Sequence, residues 1–255
     1  MFSITNLSTE TREDFKNEIL CIADSKWALA AWYERALPSA GSIGDMNTMA
    51  AVTQVVYGHV RALFQYLGDF QLAYDHLQHK RETSEIHSMG MLSKPPQSWA
   101  DFIVCQYLAE SAIWTLSSGF LGGPDHVLNG LVKKMGEEVY FHLLYAEGWI
   151  EELSQTKKSE IEQSFAERLP AALQWIGPPD QGDSLCDVCL RVTPMGTLRE
   201  NFISHVSPHA GAAIDTAESL SYEGWDKGFR RIGNDPISDR LHNIMRFRDP
   251  HLAME

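Results

Sequence analysis

The chain has 255 residues, 44% of them apolar and 22% charged, which is enough for one large globular core or two small ones. Its formal net charge of -13 repels nucleic-acid phosphate, so nucleic-acid binding is set aside, and a negative face suits a basic partner protein instead. No run approaches the roughly 18 apolar residues of a membrane span, and residues 1–14 lack the basic-then-apolar order of a signal peptide, so a cytoplasmic protein is the default expectation.

Apolar residues at helical spacing predict a series of helices. The first covers about residues 9–37, with Glu10, Glu13 and Asp14 in its opening turns, where the helix dipole favours acids. Pro38, Ser39, Gly41 and Gly44 break the chain. The second covers about residues 45–67, with Gly68 as a C-cap, and a shorter helix follows over 70–80. Residues 81–97 read as a loop ending in Lys94-Pro95-Pro96-Gln97. Ser98, with Asp101 three residues on, is placed to cap a helix over 99–118. Further helices are predicted over about 125–153, 158–176 and 198–217, and a short one near 238–246 lies in an otherwise irregular tail. No alternating apolar run bounded by hairpin turns occurs. The pattern is all-α: one domain, with a four-helix bundle over about residues 9–176 and a C-terminal extension over about 177–255, beginning at Gly177-Pro178-Pro179-Asp180.

Two bundle helices carry a similar tetrapeptide, Val56-Tyr57-Gly58-His59 and Val139-Tyr140-Phe141-His142. Di-iron carboxylate bundles carry Glu-x-x-His on two helices and one Glu on each of the other two. Positions i and i+3 share a helical face, so both side chains reach one metal. Here both histidines are present and valine stands at each glutamate position. The third bundle helix offers Glu110 inside an apolar stretch. The first offers the apolar run Trp27-Ala28-Leu29-Ala30-Ala31-Trp32, with Glu34 toward the helix end as the nearest acid. Two histidines and one carboxylate fall short of the roughly four carboxylates of a di-iron site, but they match the ligand types of a mononuclear iron triad. In the other reading, Glu110 pairs with His59 or His142 in a buried polar network. Glu138 precedes His142 by four residues and reads as its helix-surface partner, with Glu137 solvated.

Of four cysteines, Cys21 and Cys105 sit in apolar helical stretches as buried thiols. Cys186 and Cys189 form a lone CxxC without the second pair or histidines of a zinc site, and read as two thiols on one side of a helix or loop.

Short segments along the chain carry a resemblance. Ile22-Ala23-Asp24-Ser25-Lys26-Trp27 lies in the first helix, and Tyr57-Gly58-His59-Val60-Arg61-Ala62-Leu63 and Tyr66-Leu67-Gly68 in the second. Ser98-Trp99-Ala100-Asp101 and Gln106-Tyr107-Leu108-Ala109-Glu110 lie in the third. Lys134, Glu138, Tyr140, His142, Leu143 and Trp149-Ile150-Glu151-Glu152-Leu153 lie in the fourth. In this order the segments, over about residues 19–180, resemble the ring-epoxidising phenylacetyl-CoA oxygenase family, most closely its non-catalytic structural subunit.

The resemblance implies a ferritin-like bundle acting in phenylacetate catabolism, within an oxygenase complex. The catalytic subunit's iron ligands would fall on Val56, His59, Glu110, Val139 and His142, with an apolar residue on the first helix. With Val56 and Val139 at carboxylate positions, the resemblance implies no catalytic residue, no metal and no cofactor. Its partner would be a homologous di-iron catalytic subunit in a hetero-oligomer, or a second copy in a homodimer. Two alternatives stay open: a divergent iron-dependent oxygenase using His59, Glu110 and His142, and a bundle that binds an acyl-CoA or aromatic acid. Lys133, Lys134, Arg230 and Arg231 are the candidate phosphate contacts of the latter.

Overall fold

The computed structural model describes residues 2–233 and 236–246. The helices are α1 (Thr9–Ala36), α2 (Ile43–Tyr66), α3 (Tyr74–His79), α4 (Trp99–Ser118), α5 (His126–Thr156), α6 (Lys158–Ile176), α7 (Ser184–Asp187), α8 (Met195–Ala210), α9 (Ala213–Glu218) and α10 (Asp239–Met245). Two short strands, β1 (Trp225–Asp226) and β2 (Arg231–Ile232), pair antiparallel in the tail. The fold is an all-α bundle.

Side-chain caps fix where the long helices begin. The oxygens of Ser8, Ser42 and Ser98 accept from the backbone N–H of Thr11, Asp45 and Asp101, and Asp125 accepts from Val127 and Leu128. Each such cap is worth about 1 kcal/mol. The expected C-cap at Gly68 is not formed: α2 tightens into a 3-10 turn, and the left-handed residue is Gln71 at φ 65°. The single helix expected over 198–217 divides into α8 and α9 at Gly211, whose φ is 52°. α7 and the strand pair had no periodicity to announce them, because each holds four residues or fewer.

The helices stack in three layers. α1 and α4 form the middle, and every residue from Glu18 to Tyr33 of α1 is buried. In α4 the run from Ala100 to Ile113 is buried as well. A helix covered on all sides needs no polar face, which explains the nearly unbroken apolar character of α4. α2 and α5 cover one side, antiparallel to each other. Asp45 at the start of α2 accepts from the Tyr145 hydroxyl and Trp149 indole near the end of α5, while Tyr66 at the end of α2 donates to Asp125 at the start of α5 (2.7 Å). A Cβ on Gly136 of α5 would collide with the Trp114 ring of α4, so only glycine allows that approach. On the opposite side α6 and α8 pack on α4, and α7 and α10 pack on α1.

The C-terminal extension is tied to the middle layer by charge. Glu18 of α1 accepts from Arg191 and from Arg230 (3.3 Å), and all three are buried. Arg230 also donates to the carbonyls of Trp175 and Ile176. Replacing Glu18 by Ala leaves two buried guanidinium groups without their shared carboxylate. That change should cost about 3–5 kcal/mol, read as a lowered urea midpoint and faster amide exchange over residues 184–232.

Candidate functional site

The bundle interior is organised around Glu110. α4 is buried on every side, so this carboxylate is 0% exposed and must find its partners inside the protein. Lys26 of α1, also 0% exposed, donates its ammonium to Glu110 Oε2. His142 of α5 donates from Nδ1 to Glu110 Oε1 at 3.1 Å. Gln106, one turn before Glu110, donates to the His142 carbonyl (3.2 Å) and seats α5 against α4. The His59 ring of α2 lies beside that of His142, with centroids 6.4 Å apart and planes tilted by 38°. His59 Nε2 contacts Glu138 Oε2 at 2.6 Å, and Glu138 Oε1 meets Lys134 at 2.5 Å, at the surface. Val56 and Val139 are buried apolar side chains.

Electrostatics set the protonation pattern. Burial on its own would raise the pKa of Glu110, but the Lys26 ammonium and the His142 hydrogen bond outweigh it and hold the carboxyl well below the usual range. Burial and the nearby Lys26 charge push His59 down to about 4, against the pull of Glu138. His59 is therefore neutral at pH 7. The Glu138 carboxyl is penalised by its partial burial, yet Lys134 and His59 bring its pKa below the ordinary value. An ionised carboxylate only accepts, so the His59 proton sits on Nε2. Its Nδ1 is then a bare lone pair, buried and without a hydrogen-bond partner. By the same argument the Nδ1 of His142 carries a proton toward Glu110.

His59, Glu110 and His142 are thus brought near one another, with His142 on Glu110 and His59 one ring away. Among the described residues, no group of three or more His, Cys, Asp or Glu side chains has an arrangement that could hold a metal ion. Three expectations need correction. The residue that α1 sends to Glu110 is Lys26, immediately ahead of the apolar run; Glu34 instead accepts from the Tyr57 hydroxyl (3.1 Å). Glu138 does not pair with His142 on its own helix but crosses to His59 on α2. The four proposed phosphate contacts do not converge: Lys133 and Lys134 stand on α5, whereas Arg230 and Arg231 are buried beside α6, with the Arg231 guanidinium 4.7 Å over Phe229.

Cys21 and Cys105 are buried thiols, and burial raises Cys105 to about 11. Cys186 lies in α7, and Cys189 follows it exposed, with φ 59°; both are free.

The depressed pKa of His59 makes stability depend on pH. Unfolded, the imidazole takes up its proton near pH 6.5; folded, it does so near 4. Between these values the unfolded chain binds more protons, so stability falls as pH drops through that window. At about 1.4 kcal/mol per pKa unit, the loss attributable to His59 is up to about 3 kcal/mol. Thermal melts from pH 7 to pH 4.5 should show this decline, and His59→Gln should flatten it relative to the parent chain.

Comparison with known proteins bears on this site. No curated protein matches the chain. A family model described as phenylacetic acid catabolic protein matches residues 3–229, which takes in all four long bundle helices, the Lys26–Glu110–His142 group and Arg191 of the extension. The chain therefore belongs to the phenylacetic acid catabolic protein family.

Proposed function

We propose that the chain is the non-catalytic, structural member of a multicomponent oxygenase acting on phenylacetyl-CoA-type substrates, and that it supports a homologous di-iron catalytic subunit. The observation that carries this reading is the Lys26 ammonium seated on Glu110 in the bundle interior. A pair of iron ions requires about four carboxylates to balance and bridge it. At the matching positions this chain has Val56 and Val139, with Lys26 of α1 reaching the carboxylate of Glu110. That donor set does not fit a di-iron centre: the cation is already there, as a side chain. A mononuclear site at His59, Glu110 and His142 would have to expel the lysine from its carboxylate.

The outer surface supports a role in assembly. Six of the ten exposed large hydrophobic side chains among the described residues lie on α2 and α5. Tyr140, Phe141 and Leu144 of α5 are 62%, 66% and 53% exposed, and spacings of one, three and four residues put them on one helical face. Apolar groups clustered in this way mark interaction surfaces. Obligate subunit interfaces are of this kind, commonly burying more than about 2,000 Å².

Protein produced in iron-rich medium should contain no stoichiometric iron; about one iron per chain, lost in His142→Ala, would overturn the structural reading in favour of an iron enzyme. Lys26→Met strands Glu110 and should lower stability by about 3–5 kcal/mol in urea titrations, with most of the loss recovered in Lys26→Met/Glu110→Leu. Co-expressed with the catalytic subunit, the parent chain should co-purify with it. Phe141→Asp/Leu144→Asp should abolish that association without changing the helical circular dichroism.

A further inference from the structure

A second place in the molecule combines cations, aromatic walls and an open volume. It lies where the C-terminal end of α1, the N-terminal end of α4 and α10 meet, around a cavity of about 590 Å³. This is within the range of small-molecule sites, about 300–1,000 Å³. It is separate from the Lys26–Glu110 group: Arg35 lies nine residues beyond Lys26, about 13 Å along the helix axis.

Arg35 and Arg240 line this cavity, and neither has an ion-pair or hydrogen-bond partner among the described residues. The buried arginines Arg81, Arg168, Arg191 and Arg230 all meet carboxylates, whereas these two stand exposed at the cavity with their charge unanswered. Arg35 at least complements the C-terminal end of its own helix. Arg240 follows Asp239 in the first turn of α10, where the helix dipole opposes a cation, so its own helix does not explain it. Three acids adjoin the cavity lining in sequence: Asp101 is already held by Arg168 and by the Gln97 N–H, Glu34 accepts from the Tyr57 hydroxyl, and Asp239 stands beside Arg240 without an ion pair among the described residues.

The walls are flat and apolar. Trp32, Trp99 and Phe102 line the cavity together with Pro95 and Pro96. The Trp32 indole N–H is engaged by the Leu92 carbonyl (2.8 Å), which fixes that ring in place. The Trp99 indole N–H is buried and has no acceptor. Asn243 adds a polar side chain beside Arg240.

We propose that this cavity binds an organic anion with a flat apolar body. Arg35 and Arg240 take the anionic end, and the rings of Trp32, Trp99 and Phe102 pack on the body. Carboxylate and phosphate share this chemistry, since a guanidinium meets either with paired N–H donors.

Isothermal titration of the full chain with 2-naphthoate, 2-naphthyl phosphate and neutral 2-naphthamide tests the assignment. Saturable binding of at least one anion is expected, tenfold or more tighter than the amide, and the tighter anion identifies the head group. Arg35→Gln/Arg240→Gln, both at exposed positions, should weaken the preferred anion at least tenfold, with unchanged circular dichroism and unchanged affinity for the amide. The proposal is overturned if neither anion saturates, if the amide binds as tightly, or if the double variant binds the anion as well as the parent does.

Discussion

Charge balance in a water-free layer is the constraint on which this structure depends. α1 and α4 are covered on all sides, so any carboxylate they carry is removed from water and needs a cation brought to it. Every buried acid of the two helices has one. Glu18 has Arg191 and Arg230, Asp24 has Arg81, Asp101 has Arg168, and Glu110 has Lys26. Three of these pairs recruit the partner from outside the middle layer and thereby fasten a loop, α6 or the C-terminal extension onto the bundle. Only the Glu110 pair joins the two middle helices to each other.

That difference links packing to function. In di-iron carboxylate bundles the space between the four helices receives charge from several acids at once; here one lysine answers one glutamate, and Val56 and Val139 are apolar. The polar groups that remain run outward from Lys26 to Glu110 and His142, then, after a gap between the two imidazoles, through His59 to Glu138 and Lys134 at the surface. They brace α1, α2, α4 and α5 around a fixed geometry. The exposed apolar groups of α5 lie on the outer side of this braced layer, which is the surface the proposed assembly role would use.

Much of the fold was legible in the sequence. The long helices carry clear apolar periodicity, and Ser98 with Asp101 and the Gly177 break marked their ends to within a residue or so. A buried polar pairing of Glu110 with His59 or His142 was one of the readings an acid in an apolar run allowed, and the structure selects His142. Lys26 was missed because sequence patterns assign lysine to the solvent side, and nothing local reveals that α1 has no solvent side. The signal was present in Asp24, Lys26 and the apolar residues around them: in a helix buried all round, each charge must be answered by another element. Glu138 was assigned to its own helix because i,i+4 spacing is visible in sequence while a contact across helices is not. The roles of Arg230 and Arg231 depended on the path of the tail, which has no periodicity to follow.

The lysine also bears on how such a protein can evolve. Exchanging Lys26 for an acid would set two carboxylates side by side in a dry interior, and an acid at Val56 or Val139 alone would bury a charge with no counterion. Each step toward a metal-holding set is disfavoured until enough ligands are present together to capture an ion. With the Lys26 ammonium in place, a metal-holding set of side chains is therefore out of reach of any single substitution in this interior.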